Sequence, residues 1–501
     1  MASPFRIYNT LSRKVEDFVP IEPGRLRLYI CGMTVYAHWH VGHLRMFMVF
    51  DAFVRYLRHR GWEVQFVRNF TDVDDKIINT AAQRGEDPFA LAQHYIDCFH
   101  ADAASLGLIE PNREPRVSET IDSIVALIQT LIDRGHAYVA EGNVWFDVRT
   151  DDDYGKLSNQ KIDELRNPDD WAGKRDPADF ALWKAAKPGE PSWPSPWGPG
   201  RPGWHIECSA MAQATLGDTI DIHGGGLDLV FPHHENEIAQ SECATGKPFV
   251  NYWMHNGLLT MGTGRKMKGA GEKMAKSVGN VVNVQDALTE YPTEALRLYY
   301  LQNHYRSPLP WTDEALADAL GMLSRLYEAR EKAETMEGDE DAARVAKELG
   351  DDAQKVLELG KSFPERFYAA LDQDFNSAQA LGHAFELARA LNRFAAHKKA
   401  KKRGKPVVAP ALAAFHSMAD ALAILAMPSA EFHREVKQKR LSALGLDEAE
   451  IERLIGERSE ARKQKDWARA DAIRNDLVQK GIEVLDLSDG VEWRVRLYAE
   501  E

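Results

Sequence analysis

Cysteine is scarce. Four residues, at 31, 98, 208 and 243 in a chain of 501, are too few to staple a protein this long, so the thiols are expected to be free or to ligate metal in a reducing compartment. Long apolar runs are missing as well. No segment reaches the ~20 uninterrupted apolar residues that span a bilayer, and the opening MASPFRIYNTLSRKVEDF has no apolar core of signal-peptide length, so a cytoplasmic location without a membrane partner is expected. Nor is there an excess of positive charge. The 62 Lys and Arg against 76 Asp and Glu leave a net of −14, which excludes a generic nucleic-acid coat but permits local basic patches. No internal repeat is visible. What is present is an ordinary globular composition, 44% apolar, enough for two to four packed domains.

The rest of the chain is organised around Leu26 to Asp51. Leu26 to Cys31 reads as a buried strand, Gly32 ends it, and from Val41 apolar residues recur at helical spacing through Leu44, Phe47, Met48 and Ala52. The turn carries His40-Val41-Gly42-His43, two imidazoles flanking a glycine where unpaired helix N–H groups suit an anion. Such a tetrapeptide also arises by chance; it gains weight from its place at a strand end and from Lys273-Met274-Ala275-Lys276-Ser277 far downstream. Lys273 and Lys276, three apart in a Gly-rich stretch, can close over phosphates. Between them lie a strand at Val64 to Phe70, the carboxylate cluster Thr71-Asp72-Val73-Asp74-Asp75-Lys76, and helical runs at Ile77 to Arg84, Ala90 to Leu106 and Ser118 to Arg134. The carboxylates fit helix capping better than metal or amine binding.

From Tyr138 to Trp204 short alternating runs and the loop KPGEPSWPSPWGPGRPGW replace the strand–helix rhythm, as an insertion between two halves of a parallel sheet would. The second half gathers His205-Ile206-Glu207-Cys208, Asp221-Ile222-His223 and His233-His234-Glu235-Asn236-Glu237 within about thirty residues, cysteine, histidine and carboxylate in a donor set that suits zinc. His233 and Glu237, four apart, share a helix face, whereas His234 shares a poorer one. Cys31 could add a second thiolate if the sheet joins the two halves. A short strand is expected at Asn256 to Met261, one helix at Gln285 to Asn303, and a helical bundle from Asp313 to Met427. A terminal helix pair from Glu448 to Lys480 carries Arg462, Lys463, Lys465, Arg469 and Arg474, with strands near Val484 and Val491 to Leu497. Trp467 and Trp493 could stack on bases, although packing is the commoner role of either.

Taken together these residues resemble cysteinyl-tRNA synthetases, a family of class I aminoacyl-tRNA synthetases. His40 to His43 looks like the HIGH signature and Lys273 to Ser277 like KMSKS, and CGMTVYAHWHVGH, FTDVDDKI, PGWHIECSAM, DIHGGGLDLVFPHHENEIAQS and KDWARADAIRNDL are similar to the family's blocks in order. The departures are Met33 for proline, Ala37 for aspartate, Ala275 for the first signature serine, and an insertion before the lysine loop. The resemblance implies an α/β fold with a Rossmann-type parallel-sheet catalytic domain in two halves, 1–137 and 204–258, split by a connective insertion at 138–203. It further implies a stem-contact region at 259–312, a helical bundle at 313–430 and a small α+β anticodon-binding domain at 440–501. It implies one zinc on Cys31, Cys208, His233 and Glu237, an amino-acid pocket lined by Thr71, Trp204 and His223, and tRNA contacts through Arg462, Lys463, Lys465, Arg469 and Trp493. The implied chemistry is attack of the cysteine carboxylate on the α-phosphate of ATP, then transfer to a ribose hydroxyl at the 3′ end of tRNA(Cys). His40, Gly42, His43, Lys273 and Lys276 would bind ATP with Mg²⁺, and a monomer is expected. A cysteine:amino-sugar ligase of the mycothiol type shares the catalytic half, but residues 440–501 count against it. A nucleotidyltransferase lacks a reason for the zinc block, and a zinc-dependent RNA-binding protein lacks one for the paired signatures.

Overall fold

The structure, a computed structural model, describes residues 5–165, 173–262, 272–273, 281–487 and 490–495. A hairpin of β1 (Arg6–Asn9) and β2 (Lys14–Asp17) precedes the apolar run, which forms β3 (Arg25–Thr34). Leu26, Leu28, Tyr29 and Ile30 are fully buried, as a strand covered on both faces requires. It leads into α1 (Val41–His59), then β4 (Glu63–Thr71), α2 (Asp75–Arg84), α3 (Pro88–Ser105) and α4 (Ile121–Asp133). Four strands, β5 (Ala137–Ala140), β6 (Asn143–Phe146), β7 (Phe180–Ala185) and β8 (Gly200–Pro202), form a separate antiparallel sheet before the parallel one resumes. Then come α5 (Trp204–Leu216), β9 (Ile220–Gly226), α6 (Glu235–Thr245) and β10 (Val250–Asn256).

The parallel sheet has the order β10-β9-β3-β4. Neighbours β3 and β9, far apart in the chain, meet through Leu28↔Ile222, Tyr29↔His223 and Ile30↔Gly224. Strand order reverses between them, and doubly wound sheets bind ligands beyond the C-terminal strand ends at such a reversal. The register of β3 against β4 shifts between Ile30 and Met33. Gly32 sits in that shift, where a Cβ would stand 1.6 Å from the Asn69 carbonyl oxygen, so only glycine fits.

The chain divides into two compact units: this one, Met1–Leu258 with Asp372–Phe375, and a second, Leu259–Leu371 with Asn376–Glu501. The second unit holds a small sheet of β11 (Leu259–Met261), β12 (Glu272–Lys273) and β13 (Leu309–Trp311), with α7 (Val284–Glu290) and α8 (Thr293–Leu301). The helical series continues through α9 (Asp313–Glu334), α10 (Ala342–Leu349), α11 (Asp351–Leu371), α12 (Ser377–Ala395), α13 (Ala400–Arg403), α14 (Lys405–Leu422) and α15 (Ser429–Ala443). Its last elements are α16 (Glu448–Lys463), α17 (Trp467–Gln479) and the hairpin β14 (Ile482–Leu487) and β15 (Gly490–Val495), around a core of Ile451, Ile455, Leu477 and Ile482.

Two expectations from the sequence are corrected. The single strand at Asn256 to Met261 is two, because residues through Asn256 pair with β9 whereas Leu259–Met261 pair with β13. The single helix at Gln285 to Asn303 is broken at Tyr291-Pro292: Tyr291 is extended, at φ −121 and ψ 138, as a residue before proline prefers, and Pro292 caps α8.

A candidate metal centre beside a histidine turn

Four elements deliver donors to one buried point. β3 supplies Cys31, α5 supplies Cys208, the turn before α6 supplies His233, and α6 itself supplies Glu237. Their ligand atoms lie within 4.8 Å of one another, and all four residues are buried. The Cys31 and Cys208 sulfurs are 3.7 Å apart, Cys31 Sγ is 3.6 Å from Glu237 Oε1, and His233 Nε2 is 3.1 Å from the same oxygen. Tetrahedral zinc, with bonds of ~2.3 Å to sulfur and ~2.1 Å to nitrogen and oxygen, asks for edges of about 3.8, 3.6 and 3.4 Å. The donors present therefore fit such an ion.

Protonation follows from burial. Desolvation pushes the Cys31 thiol well up, with Cys208 and Glu237 adding to it. At Cys208 the hydrogen bond from Cys31 pulls down, but burial and Glu237 outweigh it and the thiol is raised. Desolvation lowers His233 to about 3, leaving a neutral imidazole with a lone pair to offer. A cation bound here would reverse the preference of the thiols, because thiolate is the ligating form.

A second set, Cys31, His223, His234 and Glu237, also converges within 4.8 Å. Here His223 Nε2 lies 2.8 Å from Glu237 Oε2, a hydrogen-bond distance well below the tetrahedral edge of about 3.4 Å, while His234 Nε2 lies 3.3 Å from Cys31 Sγ and 4.0 Å from Glu237 Oε1. These histidines support the first set rather than replace it. Helical-face reasoning favours His233 over His234, yet both point inward, because Phe231 has non-helical dihedrals (φ −138, ψ 134) and the pair sits in a turn ahead of the regular helix. Beyond them, His205 Nδ1 is 3.1 Å from His233 Nδ1, and His234 Nδ1 is 2.7 Å from His255 Nε2. His205 belongs to the blocks that suggested zinc in the sequence, whereas nothing there marked His255 as a partner.

Of the three residues that the resemblance placed in the amino-acid pocket, Trp204 and His223 touch this centre and Thr71 touches Glu207, next to Cys208 in the chain. Trp204, at the start of α5 and 38% exposed, stacks on His233 with ring centroids 4.4 Å apart. His223 touches Glu237, as above. Thr71, at the end of β4, donates to Glu207 Oε2 at 2.9 Å, and desolvation, with Asp74 adding to it, raises the Glu207 carboxyl well above the ordinary carboxylate range.

The histidine turn is built by reciprocal capping. His40 precedes α1; its Nδ1 accepts from Gly42 N–H at 3.1 Å, and its own N–H donates to His43 Nδ1 at 3.5 Å. The rings stack 3.8 Å apart, and a Cβ on Gly42 would stand 2.9 Å from the His40 ring. In its neutral form an imidazole that accepts at Nδ1 carries its proton on Nε2. The carboxylates after Thr71 are structural: Asp74 caps α2 through Lys76 N–H, Asp72 accepts from Ser118 N–H, and Asp75 pairs with Lys184 and Arg201.

Lys276 lies outside the described residues, and of Lys273 only the backbone is described, in β12 opposite Thr260. In the terminal helix pair Arg462 pairs with Asp486 at 2.5 Å, Lys463 with Glu460 at 3.7 Å and Arg469 with Glu457 at 3.4 Å, while Lys465 is exposed. Trp493 is half-buried with Lys437 Nζ 3.8 Å over its ring, so one face is covered; Trp467 is 58% exposed.

Comparison with known proteins accounts for this arrangement. The family described as tRNA synthetases class I (C) catalytic domain matches residues 17–321, a DALR domain matches 366–426, and a cysteinyl-tRNA ligase anticodon binding domain matches 447–494. The cysteine–tRNA ligase of Geobacter sulfurreducens is 46% identical over 98% of this chain and 99% of its own length. That of Alkalilimnicola ehrlichii is 48% identical over 97% and 99%. The chain belongs to the cysteine–tRNA ligases. It is therefore a class I synthetase that activates cysteine with ATP and charges tRNA, and the amino-sugar reading falls away. The fold is that of the class: methionyl-tRNA synthetase of Mycobacterium tuberculosis bound by methionyl-adenylate aligns with a TM-score of 0.56 at 16% identity, over 84% of this chain and 90% of that one. No helix among the described residues is long and apolar enough to cross a membrane.

Proposed function

We propose that Cys31, Cys208, His233 and Glu237 hold one zinc ion at the side-chain end of the cysteine pocket, and that His40, His43, Lys273 and Lys276 handle ATP, accompanied by Mg²⁺. The observation that carries this reading is the match between donor separations of 3.7, 3.6 and 3.1 Å and the edges of a tetrahedral zinc site. Bound zinc would supply a soft centre that a thiol satisfies and a hydroxyl or methyl does not, where fit alone discriminates by only ~1–3 kcal/mol.

Trp204, Thr71 and His223 line the pocket and fix the cysteine so that its carboxylate faces the α-phosphate. As the carboxylate oxygen bonds to phosphorus and pyrophosphate leaves, the Nε2–H groups of His40 and His43 donate to phosphate oxygens, Gly42 leaves room for the nucleotide, and the two lysines neutralise the charge that develops. A ribose hydroxyl of the terminal adenosine then takes the acyl group and AMP departs. No protein nucleophile is needed. Residues 259–312 contact the tRNA stem, and 440–501 read the anticodon through Arg462, Lys463, Lys465, Arg469 and Trp493, in a protein that acts as a monomer. Cysteine-dependent ATP–pyrophosphate exchange before chelation, after chelation and after Zn²⁺ return tests the reading. Exchange should fall and recover with one equivalent; exchange indifferent to chelation overturns the metal assignment.

A further inference from the structure

Glu235 lies in the chain midway between two of the four donors, His233 and Glu237, and it is buried. Its carboxylate meets the backbone of the inserted segment: Gly155 N–H and Leu157 N–H donate to Oε1 at 3.1 and 3.3 Å, and Ser158 N–H donates to Oε2 at 2.6 Å. Further bonds run along the same helix. The Tyr154 hydroxyl donates to Asn236 Oδ1, and Lys156 Nζ pairs with Glu242 at 2.5 Å. Each of residues 154–158 therefore makes a bond to α6, over a stretch from Glu235 to Glu242 that covers about two helical turns. Tyr154 and Leu157 also pack into the core that contains Cys31 and Cys208. The path of this segment is exacting at Gly155, where φ is +96° and a Cβ would stand 2.2 Å from the Gln160 carbonyl oxygen.

The turn that carries His233 needs such support. It precedes α6, Phe231 within it has non-helical dihedrals, and no side chain caps the helix start, so the helical ladder does not by itself fix where His233 stands. Its place matters, because the 3.1 Å between His233 Nε2 and Glu237 Oε1 is one of the edges that fit a tetrahedral ion. A carboxylate gripped by three N–H groups holds the backbone between those two donors. Bonds to main chain fix a path more firmly than an ion pair between two flexible side chains would, and a buried carboxylate is costly unless its bonds are kept. A shift of residues 154–158 would therefore carry Glu235 with it, and the two donors on either side.

We infer that Glu235 is a positioning residue of the metal centre, and that residues 154–158 of the inserted segment are a splint that sets the separation of His233 and Glu237. The inference rests on the metal reading above. The test compares wild type, Glu235→Gln, Gly155→Ala, Val144→Ala and Cys208→Ser in three measurements: Zn²⁺ affinity by chelator competition, the ligand-field spectrum of the Co²⁺ form, and the melting temperature of the metal-free protein. Glu235→Gln keeps the size of the side chain but turns an amide N–H toward backbone N–H groups. It should bind Zn²⁺ ~10-fold more weakly, the low end of the range for residues that support metal ligands, with a changed Co²⁺ spectrum. Gly155→Ala, which displaces the splint from its other side, should do the same. Val144→Ala, a buried position on β6 of the inserted sheet, is the control for loss of packing alone. At a temperature where it stays folded, it should lower the melting temperature and leave Zn²⁺ affinity and the Co²⁺ spectrum as in wild type. Wild-type affinity with an unmoved spectrum in Glu235→Gln overturns the inference. So does an equal loss of affinity in Val144→Ala, since general loosening would then account for both. If Glu235→Gln does not fold, Gly155→Ala and Tyr154→Phe carry the same two outcomes. If wild type and Cys208→Ser give the same Co²⁺ spectrum, the metal reading itself has failed and the role of Glu235 falls with it.

Discussion

The donor cluster and the terminal helix pair are both dense in titratable side chains, yet they are organised in opposite ways. Around Cys31 every group is buried, and burial sets both geometry and protonation: thiols up, His233 down, separations already near those of a tetrahedral ion. Around Arg462 the cations are largely exposed, and Arg462 and Arg469 each lean on a nearby carboxylate at the surface. Such exposed pairs are worth about 0–1 kcal/mol and can be exchanged for phosphates at little cost. The contrast matches the two ligands. A small thiol is told from a hydroxyl by donors held in advance, whereas a long polyanion is met by charges that can change partner.

The largest effect is expected where charge is needed only as phosphate rearranges. Replacing Lys276 by alanine should slow cysteine-dependent pyrophosphate exchange on the order of 10²–10³-fold with little change in the KM for cysteine. An unchanged rate would mean that this lysine carries none of the charge developing on the phosphates. Next comes the cluster itself: Cys208→Ser should lower zinc affinity by more than the ~10²-fold typical of outer-shell changes, and cysteine activation with it, while the metal-free melting temperature stays near wild type. If a serine there binds zinc normally, preassembly of these donors is not what holds the metal.

On the other side of the comparison, Arg462→Gln, Lys465→Gln and Arg469→Gln together should weaken tRNA binding about tenfold and flatten its salt dependence by about one unit of slope for each phosphate no longer neutralised. Pyrophosphate exchange should not move. The smallest effect concerns Asp486, whose carboxyl is drawn down to about 2, first by the hydrogen bond from Arg458, then by Arg462 and against the effect of burial. Its folded value lies below the ordinary 3.8, so its contribution is present above that value and is lost as pH falls through about 2. The group is exposed, and Asp486→Asn should therefore cost about 1 kcal/mol or less at pH 7, with the difference vanishing near pH 2 in thermal unfolding.

Much of this was legible in the residues. The strand, turn and helix around His40-Val41-Gly42-His43 follow from local spacing, and His233 with Glu237 follows from an i,i+4 pair, because both relations are short in sequence. That Cys31 joins Cys208 depends on β3 lying beside β9, a pairing no local pattern announces. The break at Pro292 was written in the sequence and lost to an apolar periodicity running through it. His205 stood among the histidine, cysteine and carboxylate blocks, but its ring contact with His233, and the contact of His255 with His234, depend on where β10 and α5 lie in the fold. Arg462 and Arg469 were legible as basic residues, but their pairing with Asp486 and Glu457 required the hairpin and the facing helix.

X-ray absorption at the zinc edge, with and without bound cysteine, tests the central claim most directly. The account predicts one zinc per chain with two sulfur neighbours at ~2.3 Å in the free enzyme and three when cysteine binds, while serine adds none. A sulfur count of one or fewer in the free enzyme, or a count that cysteine leaves unchanged, would contradict it.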